Sequence, residues 1–216
     1  MDESANVAIT ISRQLGSGGS HIGQNIAKKL NFKYLDREIL VHTAYKLGAD
    51  IKYLQERDEK HSNIWGDILR SFSLGSPAVS YIPPISGLLS DKKLFETTYE
   101  IMRGMGERFN TVMVGRAGFY ILKDFKKLIK VFIHASEEFR IKRIMDAYKL
   151  ENKKEAERIA HESDHQRSSY IEEVVGLSWL DARNYHLSID TSIVGFNKAE
   201  DLIIKIVESK YPSSIK

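Results

Sequence analysis

Hydrophobic and polar positions alternate first near the N-terminus, where Val7, Ile9 and Ile11 interleave with Ala8, Thr10 and Ser12. A period of two predicts a short strand, and Ala8 is small enough for its second face to be buried as well. Gly16, Gly18 and Gly19 follow at once, after which Ile22, Ile26, Ala27 and Leu30 recur at helical spacing. Phe32-Lys33-Tyr34-Leu35 reads as a second strand, and Asp36-Arg37-Glu38 leads into a helix carrying Ile39, Leu40, Thr43, Ala44 and Leu47. Residues 50–74 are amphipathic and helical, with Trp65, Ile68, Leu69 and Phe72 on the apolar face. Gly75, Pro77, Pro83, Pro84 and Gly87 then break the pattern over residues 75–90, because they cannot all lie in a helix interior.

Regular periodicity resumes with a helix from Asp91 to about Arg108. Thr111–Val114 is a third strand and Leu128–Ile133 a fourth. Ser136 with Glu137 and Glu138 reads as a cap and acidic first turn before Phe139, Ile141, Ile144 and Met145, a helix on which Arg140 and Arg143 share a face. Residues 150–175 are strongly polar and read as a solvated helical pair laced with ion pairs. Tyr185–Asp190 is a fifth strand, and a last helix runs from Asn197 to about Ser209. Alternating strands and helices predict an α/β protein, with a five-stranded parallel sheet between two helical layers. Residues 50–108 are too many for a simple crossover and are expected to form a helical insertion beside the sheet.

The loop after the first strand carries the candidate chemistry. A strand, a glycine loop and a helix turn backbone N–H groups toward an anion at the helix N-terminus, and glycine lets a phosphate approach closely. Against the G-x-x-x-x-G-K-[ST] pattern, Gly18 falls on the last glycine, Arg13 on the first, Gly19 on the lysine and Ser20 on the hydroxyl. The loop and hydroxyl are retained while the lysine is lost, and a glycine-rich turn with no ligand is the competing reading. Asp36 and Arg37 lie at the strand edge where α/β folds bind ligands, although Asp36 also suits a helix cap. The third strand ends in Gly115-Arg116 with no carboxylate.

Composition narrows the classes. The 216 residues are 42% hydrophobic and 28% charged, ordinary for a globular protein with a sizeable core. A net charge of +3 is too small to argue for a nucleic-acid partner, though local arginines suit a phosphorylated small molecule. Cysteine is absent, which excludes disulfides, thiolate metal sites and cysteine nucleophiles. No apolar run approaches the roughly 18 to 20 residues of a membrane span, and the start Met-Asp-Glu-Ser is acidic, so a cytoplasmic protein is expected. His161 and His165 lie on the polar helix and read as solvated. Trp65 and Trp179 read as core or interface anchors.

Taken in order, several short stretches resemble the nucleoside monophosphate kinases, specifically the cytidylate-kinase-like group of the P-loop kinases. They are Ile-Ser-Arg-Gln-Leu-Gly-Ser-Gly-Gly, Tyr34-Leu35-Asp36, Val114-Gly115-Arg116, His134-Ala135-Ser136-Glu137-Glu138-Phe139-Arg140, Asp164-x-x-Arg167 and Ile189-Asp190-Thr191. The resemblance implies a three-layer P-loop kinase domain with core 5–48 and 109–210, an acceptor-side insertion at about 50–108, and a lid at about 146–163. It implies ATP and Mg²⁺ as cofactors. Gly16, Ser17, Gly18, Gly19, Ser20 and His21 would hold the donor, with Ser20 beside the metal. Asp36, Arg37, Arg116, Arg140, Asp164 and Arg167 would meet the acceptor, and Arg13, Arg140 and Arg167 would carry the catalytic charge.

Phosphoryl transfer fits these residue types, because it asks mainly for two aligned phosphates and neutralised charge. Two departures stand out. Gly19 replaces the lysine, for which Arg13 is the preferred substitute over Lys28, and Ala117 replaces the aspartate that cytidylate kinases carry after Gly-Arg. The expected function is ATP-dependent phosphorylation of a nucleoside monophosphate, CMP or dCMP first, or of a related phosphorylated acceptor. The alternative is a non-catalytic nucleotide-binding protein. Nucleotides are the expected partners, with neither nucleic acid nor membrane, and homodimer formation is left open.

Overall fold

A computed structural model describes residues 5–36 and 91–214. Strands β1 (Ala8–Arg13), β2 (Lys33–Asp36), β3 (Thr111–Val114), β4 (Leu128–His134) and β5 (Leu187–Asp190) form one sheet in the order β2-β3-β1-β4-β5. Every pairing is parallel. β1 is central and covered on both faces, which is why its small polar positions Thr10 and Ser12 are buried with its isoleucines. The register sets Ile11 beside Val114 and Val131, Asp36 beside Val114, and His134 beside Asp190. The C-terminal ends of all five strands therefore share one edge, the edge at which open α/β sheets bind ligands.

Helices α1 (Gly19–Leu30) and α7 (Phe196–Lys210) cover one face. Ile22, Ile26, Ile203 and Val207 pack there on Ile9, Ile11, Val112 and Ile133. On the other face lie α2 (Asp91–Arg108) and the short α3 (Gly118–Ile121), where Met102, Met105 and Ile121 meet Ala8, Leu35 and Met113. An aromatic cluster continues that face: Phe132 meets Trp179 edge-on at 5.4 Å and Tyr185 at 5.1 Å. Burial pushes the Tyr185 phenol up to about 12, and its hydroxyl donates to the Trp179 carbonyl at 2.9 Å. Trp179 is the core anchor its size suggested; Trp65 lies outside the described residues.

The polar stretch holds a single helix of 23 residues, α5 (Lys153–Val175), rather than two. Asn152 caps it by accepting from the Lys154 N–H at 3.0 Å, Gly176 ends it at φ 69°, and no glycine or proline interrupts it. Its partner is α4 (Glu137–Tyr148), capped by Ser136 as the sequence indicated. Ala156 and Ala160 are fully buried between the two helices against Ile141 and Ile144. Small residues let the two helices approach, and a scan for large apolar side chains passes over them. The lid expected at 146–163 thus corresponds to the end of α4, a tight turn and the first half of α5. Short α6 (Thr191–Val194) follows β5.

Smaller differences are local. β5 begins at Leu187 rather than Tyr185, because a 3₁₀ turn at Ala182–Asn184, capped by Asp181, precedes it. α7 begins one residue early, at Phe196. The helix expected after Asp36, the amphipathic stretch 50–74, the break at 75–90 and Arg37 all lie outside the described residues. Of the expected insertion only α2 is described. No described helix is long and apolar enough to cross a membrane.

The buried alanines make a direct test of the α4–α5 contact. Ala160→Leu is expected to destabilise the protein by about 1–3 kcal/mol through overpacking, read from urea or thermal unfolding. An unchanged midpoint would contradict close packing at that position.

Candidate functional site

The loop between β1 and α1 is held both by its own turn and by its neighbours. Gln14 N–H donates to the Ile133 carbonyl at 3.0 Å. Ser17 is fully buried, and its Oγ lies 2.8 Å from the Gln14 carbonyl and 3.2 Å from that of Ile133. The Ser17 carbonyl in turn accepts from the Thr191 hydroxyl at 2.8 Å. Leu15 donates its N–H to Asp164 Oδ1 at 3.0 Å and accepts from Arg140 Nη1 at 3.2 Å. Its side chain sits among Ile141, Ile144 and Ala160, between α4 and α5. Gly18 then caps α1 at φ 86° with no side-chain bond to the first turn. A left-handed conformation there favours glycine, and the first N–H groups of α1 are left at the positive end of the helix.

A pocket opens over this loop, lined by Arg13, Gly16, Gly18, Gly19, Ser20, Arg143 and Arg167, with Gln14, Leu15 and Ile144. Arg167 is anchored by Nη1 to Asp164 Oδ1 at 3.2 Å. Arg143 stacks its guanidinium 4.5 Å over the Phe196 ring, and loss of solvation lowers its pKa, partly offset by Asp146. Phe196 also fills the space above Gly18, where a Cβ would lie 2.5 Å from the ring edge. Arg140 is set behind the loop: it is 5% exposed, and its Nη1 lies 2.5 Å from Asp164 Oδ2. One carboxylate therefore balances two arginines and fixes Leu15 at the same time.

The neighbouring strand ends form a second group. Gly115, Arg116 and Ala117 all have positive φ, at 85°, 50° and 56°. Two consecutive non-glycine residues in that region carry strain of about 1–3 kcal/mol each. The turn sets the Arg116 guanidinium 5.3 Å over the Tyr170 ring, while its Nε finds no hydrogen-bond partner among the described residues. Ala117 is buried in the aromatic cluster, so an aspartate at this position would face Phe119 and Phe132. Asp36 is 6% exposed at the end of β2. Tyr34 reaches from that strand to donate to the Ser20 carbonyl at 3.4 Å. Burial raises the Tyr34 pKa, the Asp36 charge raises it further, and Arg13 opposes the rise.

The donor set suits a hard cation. Mg²⁺ takes oxygen ligands, commonly one or two from protein and the rest from phosphates and water. The Ser20 hydroxyl, at the start of α1 in the pocket, is one such oxygen, and Asp36 adds a carboxylate at the end of β2 on the same sheet edge. Bound there, Mg²⁺ would draw charge from donor phosphate oxygens.

The residues singled out in the sequence thus fall into three places. Arg13, the glycines, Ser20 and Arg167 line one pocket, with Ser17 beneath it and His21 beside Phe196 at a ring distance of 5.7 Å. Arg140 and Asp164 lie behind the loop, and Asp36 and Arg116 lie at the adjoining strand ends. Sequence reasoning did not single out Arg143, Phe196 or Thr191 as site residues. For Arg143 the three-residue spacing from Arg140 was the available signal; for Phe196 there was none.

Two substitutions separate these roles. Asp164→Asn leaves Arg140 buried without its counter-charge and is expected to cost roughly 3–5 kcal/mol of stability in urea unfolding. Arg143→Ala is expected to leave stability little changed while weakening MgATP binding about tenfold to a hundredfold by calorimetry. Wild-type affinity in Arg143→Ala would remove this arginine from the donor site.

Comparison with known proteins follows the same lines. An uncharacterized protein from Eubacterium ventriosum is similar over 95% of this chain and 100% of its own, at 22% identity and a TM-score of 0.70. TT1252 from Thermus thermophilus is similar over 94% of this chain and 99% of its own, at 11% identity and a TM-score of 0.53. These likenesses concern the fold alone. A search of curated proteins finds no match. The model of the cytidylate kinase-like family matches residues 8–193, a span that takes in the loop, the strained Gly115-Arg116 turn, α4 and α5. With the five-stranded parallel sheet of the P-loop kinase fold and a pocket of arginines over its first loop, the chain belongs to the cytidylate kinase-like family.

Proposed function

We propose that the protein transfers the γ-phosphoryl group of ATP to a nucleoside monophosphate, with CMP or dCMP the first acceptor to test. Membership of a kinase-like family supports phosphoryl transfer to a small substrate. The observation that carries the finer reading is the pairing of two arginine groups on one sheet edge. Arg143 of α4 and Arg167 of α5 line the pocket over the β1–α1 loop, and Arg116 lies on the turn after the adjoining β3 with an unpartnered Nε among the described residues. A donor held at the loop and an acceptor phosphate at Arg116 would meet over the ends of β1 and β3.

The work of the residues follows from charge. The N–H groups of Gly18, Gly19 and Ser20 would donate to phosphate oxygens of the bound ATP, and Arg143 and Arg167 would neutralise them from α4 and α5. Arg116 would orient the acceptor phosphate, which is ionised at neutral pH and needs no general base. The α4–α5 hairpin would exclude water from the transferring group. The competing reading is a protein that binds nucleotide without transferring phosphate. The internal pairing of Arg140 with Asp164 serves either, because it shapes the loop whether or not chemistry follows.

A coupled ADP-release assay with MgATP against CMP, dCMP, UMP, AMP and GMP separates the two. Turnover is expected with CMP or dCMP, and Arg116→Ala is expected to lower kcat/KM for that acceptor about a hundredfold. MgATP binding with no turnover on any acceptor would favour the non-catalytic protein.

A further inference from the structure

Arg13 and Gly19 stand in an unusual relation. Arg13 ends β1 and Gly19 opens α1. A Cβ built on Gly19 would lie 2.5 Å from Arg13 Cβ and 2.9 Å from its Cγ, closer than real carbon contacts allow. Neither Arg13 atom lies at the far end of a flexible side chain, so the clash cannot be relieved by a small rotation. A side chain at 19 and an arginine at 13 therefore exclude each other. Gly19, which stands where the pattern has lysine, leaves that space to the stem of Arg13.

The head of Arg13 is placed by a second glycine. A Cβ on Gly115 would overlap Arg13 Nη1 and lie 3.2 Å from Cζ, so the guanidinium rests against the turn that follows β3. Gly115 is fixed beside β1 by its N–H bond to the Ile11 carbonyl at 2.9 Å. Its φ of 85° is itself glycine territory. The next residue is Arg116, and beyond β3 lie Tyr34 and Asp36 on β2. The Arg13 charge reaches Tyr34 strongly enough to oppose the rise of its pKa. The stem thus runs under the donor loop while the head lies toward the acceptor side.

We propose that Arg13 carries its charge at the seam between donor and acceptor, where Gly19 and Gly115 together make room for it, and not on the donor phosphates alone. The inference rests on the phosphoryl-transfer reading above. In that step an acceptor phosphate oxygen forms a bond to the γ-phosphorus. The bond from that phosphorus to the β-bridging oxygen breaks, ADP leaves with the electron pair, and no proton moves to or from Arg13. Charge on the equatorial oxygens is at its most exposed to a cation at the seam during transfer, so Arg13 would act on the transition state more than on bound ATP.

Two measurements test the two halves. The first is a thermal-unfolding cycle with Gly19→Ala, Arg13→Gly and the double variant. Gly19 does not adopt a positive φ, so alanine there is opposed only by contact. Gly19→Ala should lower the melting temperature by several degrees in the parent and raise it slightly in the Arg13→Gly background, where the Cβ it meets is gone. The same sign in both backgrounds would overturn the exclusion.

The second measurement uses Arg13→Gln, which keeps the stem. MgADP affinity should change by less than about threefold, while the tightening that aluminium fluoride gives the parent should fall at least about tenfold. Equal tightening in parent and variant, or a loss of MgADP affinity as large as the loss of tightening, would overturn the seam placement. A parent that gains nothing from aluminium fluoride would overturn the kinase reading beneath it, whatever the unfolding cycle shows.

Discussion

The β1–α1 loop has its shape because Leu15 is gripped by both of its backbone groups. Asp164 accepts the N–H and Arg140 donates to the carbonyl, while the two side chains bond to each other behind the loop. Buried charges are costly unless paired and hydrogen-bonded, and here the pairing is also the fastening. Because Arg140 comes from α4 and Asp164 from α5, the loop and the helical hairpin are one mechanical unit. Any movement of the hairpin over a bound nucleotide would be felt at Leu15. The hydrophobic contact of Leu15 with Ile144 and Ala160 adds to the same constraint.

Around that fixed loop, on the function proposed above, arginines would take the role that lysine plays in the commoner pattern. They enter from three elements, β1, α4 and α5, and each has its place defined by something beside it. Arg13 lies against two glycines, Arg143 over Phe196, and Arg167 against Asp164. Guanidinium groups suit such placement, because they are planar, stay charged and stack on rings. The strained Gly115-Arg116-Ala117 turn adds a fourth, directed along α5 at Tyr170. Strain of this kind persists only where surrounding packing enforces it, and the buried Ala117 among aromatic rings supplies that packing.

Much of this architecture was legible in the chain. The alternation of Val7, Ile9 and Ile11, the capping Ser136 and the apolar strand at Leu128–Ile133 follow directly from backbone periodicity and cap chemistry. So does the loop, because glycines between a strand and a helix have few other uses. The long helix α5 was harder to see, since its buried positions are the alanines at 156 and 160 rather than large apolar residues. The site was legible only in part, because membership depends on contacts between segments far apart in sequence. Asp164 reads as an acceptor residue, and its bond to Leu15, 149 positions away, has no local signal in the sequence. Phe196 and Thr191 touch the loop from the far end of the chain, and no local spacing announces such contacts. The meaning of Gly19 was the least accessible of all, since a missing side chain explains itself only through the neighbour that occupies its place.

The central claim is that the β1–α1 loop, with its surrounding arginines, is a nucleotide phosphate site despite the absence of a lysine. A crystal structure of the protein with MgADP tests it most directly. The account predicts the β-phosphate at the N-terminus of α1, within hydrogen-bond reach of the Gly18–Ser20 N–H groups, with Arg143 and Arg167 turned onto the phosphates and Leu15 unmoved. Nucleotide bound elsewhere, or phosphates in the loop with both arginines turned away, would contradict it.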